Sequence, residues 1–120
     1  MKRKETGRLG ERLAADFLRS RSFEIVETNY RCRTGEIDIV ARRDGCLRFI
    51  EVRSKRSLEF GTPEESITPA KMARMRTAAE HYLQNHEGLT DSWQIDVVAI
   101  QFDSNNRPSR IELYENAVEG

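Results

Sequence analysis

The sequence predicts an α/β fold in which a mixed β-sheet is flanked by helices, and three observations lead to it. A two-residue turn signal, Asp44-Gly45, separates two apolar-rich runs at 35–41 and 47–53, which indicates a β-hairpin. Amphipathic helical patterns precede and follow that hairpin. A further apolar run at 93–102 follows the second helix, and a right-handed crossover would lay it parallel to the strand at 47–53.

Each element has its own signal along the chain. The first helix is predicted from a Thr6 cap to about residue 21, and a first strand follows at 23–30. Residues 56–68 are predicted as a loop that ends in the cap-and-start pair Thr68-Pro69. A second helix is predicted over 69–85, then a strand at 93–102 and an edge strand at 111–114. The apolar stripe of the first helix is Leu9, Leu13, Ala14, Phe17 and Leu18, and that of the second is Met72, Met75, Ala79, Tyr82 and Leu83.

Length and composition favour one soluble globular domain over residues 1–120, with 38% hydrophobic and 33% charged residues. No run approaches the length of a membrane span, and the basic start at 1–4 is not followed by the apolar core of a signal peptide. We therefore expect a cytoplasmic protein with no membrane partner. Cys32 and Cys46 lack the spacing of zinc ligands and are expected to be reduced structural thiols.

The hairpin turn sets which side chains oppose each other. The register places Asp38 opposite Glu51 and Glu36 opposite Arg53, with directly opposed Cβ atoms roughly 4.5–5.5 Å apart. Two carboxylates at that separation repel each other by about 3 kcal/mol at an effective dielectric near 20. A divalent cation such as Mg²⁺ or Mn²⁺ would offset this cost. The alternative is a solvated face on which Arg53 neutralises the acids, and the residues alone leave both interpretations open.

The other face of the same hairpin is predicted to be core. In this register Arg43 faces Cys46, and the apolar side chains on the core face are Ile37 and Ile39 on one strand and Ile50 and Val52 on the other. A slip of one residue would bury the charged side chains, so the apolar pattern fixes the pairing.

The zero net charge conceals an uneven distribution. Residues 1–76 contain 18 Lys or Arg and 12 Asp or Glu, whereas residues 77–120 contain 2 and 8. Several acids of the first part are the candidate site carboxylates, so the surface around them is more basic than the totals suggest. Such a distribution is typical of a polyanion-binding groove, unless folding mixes the two parts in space.

The order of elements, together with Asp38 and the run Glu51-Val52-Arg53, resembles the PD-(D/E)XK nuclease superfamily, which has a restriction-endonuclease-like αβββαβ core. A closer resemblance, over about residues 6–100, is to the YraN-like family of bacterial proteins. The segments that carry it are Gly10-Glu11, Asn29-Tyr30-Arg31, Gly35-Glu36-Ile37-Asp38-Ile39-Val40-Ala41, Phe49-Ile50-Glu51-Val52-Arg53, Phe60-Gly61, Lys71 and Asp96-Val97-Val98.

The resemblance implies that Asp38 and Glu51 bind Mg²⁺ or Mn²⁺, with Glu11 as a further ligand. Arg53 stands where the superfamily usually has lysine, and it could stabilise charge on a phosphate although it cannot act as a deprotonated base. The accompanying roles are assistance to Arg53 from Lys55, positioning of Arg53 or a second ion by Glu36, and phosphate-backbone contacts from Arg56, Lys71 and Arg74.

Two function classes follow from the resemblance. The first is a metal-dependent endonuclease that hydrolyses phosphodiester bonds in DNA, including branched or damaged DNA. The second is a nucleic-acid-binding or assembly module that retains the nuclease fold without efficient catalysis. A protein-interaction domain is a third alternative. The expected partner is nucleic acid, with DNA preferred to RNA, and the oligomeric state, a homodimer included, is left open.

Overall fold

A computed structural model describes residues 3–56, 61–86, 88 and 92–117, with the backbone alone for residues 3–6. It contains two α-helices, five strands and one short 3-10 helix. In chain order these are α1 (Arg3–Ser20), β1 (Glu24–Cys32), β2 (Gly35–Arg43), β3 (Cys46–Lys55), the 3-10 helix (Glu64–Ser66), α2 (Pro69–Gln84), β4 (Trp93–Phe102) and β5 (Pro108–Tyr114).

The strands form one mixed sheet in the order β1-β2-β3-β4-β5. Only the β3–β4 pairing is parallel, and it is made by the crossover through α2, as the sequence predicts. The helix–three strands–helix–strand order is that of a restriction-endonuclease-like core, to which β5 adds an antiparallel edge. The predicted fold class is therefore confirmed.

Helices cover both faces of the sheet. Beneath α1 the core contains Leu18, Ile39 and Ile50, and beneath α2 it contains Phe49 and Tyr82. The other buried residues of these two clusters are Ala14, Ala15, Phe23, Ala41, Val98, Ile100 and Phe102 under α1, and Ile37, Val40, Leu47, Met75, Ala78, Ala79 and Ile95 under α2. Burial on both faces explains why β4 reads as a continuous apolar run and not as an alternating strand.

The ends of the elements depart from prediction in a few places. α1 begins at Arg3, so Thr6 lies inside the helix and does not cap it, because the preceding residues Lys4 and Glu5 are themselves good helix formers. The α2 start is confirmed: Lys71 N donates to the Thr68 hydroxyl at 3.2 Å, and Pro69 is the first helical residue. The predicted loop at 56–68 contains the 3-10 helix, and Cys32 and Cys46 are free thiols.

The hairpin register is confirmed from Arg43↔Cys46 to Ile39↔Ile50, and there the backbone ladder between β2 and β3 ends. Beyond it, the Asp38 carboxylate accepts a hydrogen bond from Val52 N at 2.8 Å in place of a main-chain carbonyl. The expected direct pairings of Asp38 with Glu51 and of Glu36 with Arg53 are therefore wrong as strand pairs.

The predicted core face of β2 is also wrong at one residue. Ile37 packs in the cluster beneath α2, whereas Ile39 packs beneath α1, although alternation would put both on one face. Opposite this point on β1, Asn29 has a φ of 55°, between the pairs Thr28↔Ile39 and Tyr30↔Ile37. Asparagine tolerates this left-handed conformation, and it accompanies the change of face at Asp38.

Candidate active site

The break in the β2–β3 ladder opens a cavity of about 190 Å³ between the sheet and α2. Three carboxylates, of Glu36, Asp38 and Glu51, lie in its wall together with three cationic side chains. The full lining is Gly35, Glu36, Asp38, Glu51, Arg53, Lys71, Arg74 and Met75. The sequence prediction that Asp38 and Glu51 lie close together is therefore met through the cavity and not through the ladder.

Asp38 is the carboxyl group most perturbed by its surroundings. Burial raises its pKa to about 8, and the negative charge of Glu51 acts in the same direction, as do Glu11 and Glu36 more weakly. The hydrogen bond from Val52 N opposes the shift. A carboxyl group held among other carboxylates in a cleft is typical of a functional site, since like charges there cost stability.

Helix α1 brings a further carboxylate towards this cluster. Gly10 packs so closely on β3 that a Cβ at this position would lie 3.1 Å from Ser54 Oγ. The next residue, Glu11, has a raised pKa because of partial burial, and the charges of Glu36 and Glu51 raise it further, while a hydrogen bond from the Asn29 side chain lowers it. The charges of Glu36 and Glu51 therefore reach Glu11, although Glu11 is not among the residues that line the cavity.

Arg53 lies between the carboxylates and the loop that precedes α2. Its Nη1 is 3.3 Å from Glu51 Oε1, and its Nε donates to Ser66 Oγ at 2.9 Å. The expected Glu36–Arg53 interaction is replaced, because Glu36 opposes Arg31 across β1 and β2 and forms an ion pair with it at 3.6 Å. Arg53 thus neutralises Glu51 and leaves Asp38 without a cationic partner among the described ion pairs.

The loop that contacts Arg53 is itself fastened to the far edge of the sheet. Glu64 accepts two hydrogen bonds from Arg110, at 2.9 and 3.0 Å, and one from the Tyr114 hydroxyl at 2.8 Å. These bonds lower the pKa of Glu64 to about 2, with the Arg110 bonds as the largest cause. The 3-10 helix is therefore held by β5 at Glu64 and meets β3 at Ser66.

The remaining predicted residues divide by position. Lys71 and Arg74, from the first turns of α2, line the cavity. The backbone of Arg74 also lies close to Gly35 after the β1–β2 turn: a Cβ at position 35 would be only 3.3 Å from the Arg74 carbonyl oxygen. Lys55, two residues after Arg53 on β3, and the exposed Arg56 are not among the cavity-lining residues. The proposed backbone-binding set is thus brought together only in part.

One residue of the family motif has a structural role. Asp96 is fully buried on β4 and accepts a hydrogen bond from Arg48 Nη1 at 2.9 Å. Its other oxygen accepts from Gln94 Nε2 and from Asn116 N, both at 2.8 Å. Both oxygens have partners, so this carboxylate connects β3, β4 and the segment after β5, and it is not among the residues that line the cavity.

The donor atoms of the cavity fit a hard divalent cation. Carboxylate oxygens are the ligands that Mg²⁺ and Mn²⁺ prefer, and burial together with the charge of Glu51 raises the pKa of Asp38, a cost that a bound cation would offset. Within the described part of the chain, no group of three or more His, Cys, Asp or Glu side chains is arranged to hold a metal ion. The protein ligands available in this geometry are thus Asp38 and Glu51, and water and phosphate oxygens would have to complete the coordination.

A second, larger cavity, of about 550 Å³, lies between the 3-10 helix, the start of α2 and the β4–β5 edge. Its two carboxylates are already engaged, because Glu64 accepts from Arg110 and Tyr114, and Glu115 accepts from Arg48 at 3.0 Å. Its other lining residues are mainly apolar. Asp38, which has no cationic partner among the described ion pairs, lies in the smaller cavity.

Sequence reasoning did not find Ser66. It lies in an irregular loop, where no periodicity predicts direction, and it is 13 residues from Arg53 in the chain. The available signal was local: Glu64 and Glu65 followed by Ser66 and the Thr68-Pro69 start indicate an ordered turn before α2.

Comparison with known proteins agrees with the motif resemblance. The model of the uncharacterised protein family UPF0102 matches residues 10–100. A UPF0102 protein of Caldicellulosiruptor bescii is 41% identical over 118 residues, which cover 98% of this chain and 99% of the relative. Another, of Dehalococcoides mccartyi, is 45% identical over 116 residues, or 97% and 94% of the two chains. A third, of Renibacterium salmoninarum, is 46% identical over 104 residues, or 87% and 88%.

The matched region runs from Gly10, the glycine that brings α1 onto β3, to Ile100 in the buried part of β4, and it includes every residue that lines the smaller cavity. None of the helices in the described part of the chain is long and apolar enough to cross a membrane. On the family match and these near full-length relatives, the chain belongs to the UPF0102, or YraN-like, family.

Proposed function

We propose that this protein is a metal-dependent endonuclease that hydrolyses phosphodiester bonds in DNA, with branched or damaged DNA as candidate substrates. The observation that supports it most is the composition of the 190 Å³ cavity, where carboxylates face cationic side chains across one small space. A phosphodiester with a divalent cation presents the complementary charges: an anion for the arginines and lysine, and a cation for the carboxylates.

In this proposal Asp38 and Glu51 hold Mg²⁺ or Mn²⁺, and Glu11, which does not line the cavity, adds negative charge nearby without ligating the ion. When bound, the ion supplies Lewis-acid polarisation of the phosphate. The Asp38 carboxylate is oriented for this role by Val52 N at 2.8 Å. Glu51 has only 16% of its side chain exposed, so its charge is poorly screened by solvent.

The cationic residues act on the substrate. Arg53 stabilises charge that develops on the phosphate, and Lys71 and Arg74 hold the sugar–phosphate backbone at the cavity mouth. Arg56 and Lys55 extend the basic surface beyond the cavity, with no selection of base sequence. Glu36 holds Arg31 at the rim and does not contact Arg53.

Purified protein tested on linear, single-stranded and four-way-junction DNA, with Mg²⁺ and with Mn²⁺, tests this proposal. We expect metal-dependent cleavage of at least one substrate, lost in Asp38→Asn and in Glu51→Gln. Arg53→Ala should lower cleavage far more than DNA binding, because its contact strengthens in the transition state. If none of the three DNAs is cleaved, or if Asp38→Asn cleaves them as well as the parent, the proposed nuclease activity is wrong.

One observation favours the second function class, a binding or assembly module without efficient catalysis. Arg53 already forms an ion pair with Glu51, so its charge competes with a metal ion for that carboxylate. Lysine in this place would be a smaller donor. If the parent binds DNA without cleaving it and Arg53→Lys creates cleavage, the module is the correct class.

A further inference from the structure

Arg53 owes its position to a hydroxyl group outside the sheet. An arginine side chain has many rotamers, and fixing it in one place requires partners for its head group. Ser66 Oγ accepts from Arg53 Nε at 2.9 Å and donates to Pro63 O at 2.5 Å. Because the hydroxyl proton is committed to the Pro63 carbonyl, the oxygen lone pairs face the guanidinium. Ser66 can therefore act towards Arg53 only as an acceptor.

The serine is held in place in turn. Glu64, two residues earlier in the same 3-10 helix, is bound by Arg110 and Tyr114 of β5. Strand β5 pairs with β4, and β4 pairs in parallel with β3, where Ala99 is the partner of Arg53. The sheet thus fixes both the base of the Arg53 side chain and, through Glu64 and Ser66, its head.

Among the residues that the structure describes, the contacts of Arg53 engage only part of its guanidinium group. Nε bonds to Ser66 and Nη1 lies against Glu51, and Nη2 makes none of the described hydrogen bonds. A guanidinium held at one edge presents its remaining N–H groups in a fixed plane, which suits an oxygen-rich anion such as phosphate.

We propose that Ser66 is a positioning residue: it orients Arg53 towards a phosphate oxygen of the substrate in the cavity. This inference rests on the proposed function for the identity of the anion, but the Ser66–Arg53 bond can be tested without cleavage. Two side chains of equal shape separate the hydroxyl from packing, since Ser66→Thr keeps the acceptor and Ser66→Val removes it. Thr62→Ala is the control, because it removes a hydroxyl group of the same loop whose described hydrogen bonds both join it to Glu65 and not to Arg53.

The first readout is exchange of the Arg53 Nε proton with water, followed by nitrogen-15 NMR. The proton of an N–H group that donates to a fixed acceptor exchanges slowly with water. Ser66→Val and Ser66→Ala should therefore increase the exchange rate about tenfold. Ser66→Thr and Thr62→Ala should leave the rate within about twofold of the parent. Circular dichroism of each variant shows whether the fold is kept, and Ser66→Ala serves if Ser66→Val does not fold.

The second readout is cleavage of four-way-junction DNA. Ser66→Val should lower kcat about tenfold with little change in KM, while Ser66→Thr keeps most of the parent rate. In an Arg53→Ala background the same substitution should have no further effect, because the serine acts only through the arginine. An equal loss in both backgrounds overturns the inference, as does parent-like kcat in Ser66→Val.

The two proposals fail in different ways. If the parent cleaves DNA and Ser66→Val matches it, the nuclease stands and the positioning role is wrong. If the parent cleaves no DNA, the proposed nuclease function is wrong, and the NMR experiment alone tests the positioning role of Ser66. Unchanged exchange of the Arg53 Nε proton in Ser66→Val overturns that role, and faster exchange supports it.

Discussion

At the residue scale, Gly10 determines how closely α1 approaches the candidate site. It is a buried helical glycine, although glycine weakens a helix interior by roughly 0.5–1 kcal/mol relative to alanine. The reason lies across the interface, where a Cβ would be only 3.1 Å from Ser54 Oγ on β3, so Ser54 would have to shift to accommodate it. The close approach sets the position of the following residue, Glu11.

We predict that Gly10→Ala lowers the free energy of unfolding by about 1–3 kcal/mol, because Ser54 must move. Gly7→Ala is a matched control on the same helix, since a Cβ there meets nothing within 4 Å. That control should be neutral or stabilise by up to about 1 kcal/mol through helix propensity. Urea denaturation of both variants measures the difference, and equal effects would contradict the packing argument.

Asp38 is predicted to lower the stability of the metal-free protein and to be required for metal binding. Asp38→Asn keeps an acceptor for Val52 N and removes a carboxyl group whose ionisation is opposed in the folded protein by burial and by the charge of Glu51, but is free in the unfolded chain. We expect a higher Tm than the parent in metal-free buffer, and loss of the Mn²⁺ binding heat in calorimetry. Asp44→Asn, in the exposed hairpin turn, should change neither quantity by much. A parent that binds Mn²⁺ no better than Asp38→Asn would remove the metal site.

At the scale of elements, the 3-10 helix joins two distant strands. It carries the ion pair to Arg110 of β5 at one end and the acceptor for Arg53 of β3 at the other. A loop fastened in this way behaves as part of the sheet, so a substitution at Glu64 should alter the position of Ser66 and, through it, of Arg53.

The Glu64 ion pair predicts a specific pH dependence of stability. The folded-state pKa of Glu64, about 2, lies below the ordinary 4.5, so its contribution is present in full above about pH 5 and is lost as the pH falls towards 2. Glu64→Gln should therefore cost about 1–2 kcal/mol at pH 7, with the difference from the parent vanishing near pH 2. Thermal melts between pH 2 and 7 measure this.

Glu65→Gln is the control for that experiment. The Glu65 carboxylate accepts from Thr62 within the loop and makes none of the described ion pairs. Its effect on Tm should be small and should show no matching pH window. A pH-independent loss in Glu64→Gln would mean that shape, and not charge, holds the 3-10 helix.

At the scale of the whole molecule, the basic excess of residues 1–76 predicts salt-dependent DNA binding. Each phosphate contact releases counterions, so log Kd should rise linearly with log salt concentration. Lys71→Ala and Arg74→Ala, at the cavity, should each lower the slope by about 1. Arg19→Ala, which removes an exposed cation paired with Asp16, should leave it unchanged. Binding that does not change with salt would exclude a phosphate-backbone interface.

The fold was largely predictable because its signals are local. The Asp44-Gly45 turn, the Thr68-Pro69 helix start and the apolar run of β4 each depend on neighbouring residues. The side of β2 that Ile37 faces was not predictable, because the positive φ of Asn29 and the Asp38–Val52 bond interrupt the alternation.

The candidate site was likewise predictable where its residues carry local signals, and not where its contacts are long-range. Asp38, Glu51, Lys71 and Arg74, all named from the sequence, line one cavity, whereas the partners of Arg53 and Glu36 come from long-range geometry. Pairing rules applied to one hairpin cannot supply Ser66 from a loop or Arg31 from the neighbouring strand.

The parallel pairing of β3 with β4 also bears on how the chain is made. Its nine residue pairs, from Leu47↔Trp93 to Lys55↔Gln101, join positions 46 residues apart in sequence. During synthesis the β2–β3 hairpin can close as soon as it leaves the ribosome, but β3 remains an unprotected edge until β4 follows. The nascent chain therefore carries Asp38 and Glu51 on an incomplete sheet with an exposed strand edge. Slow translation between α2 and β4 should favour association with other chains over correct folding.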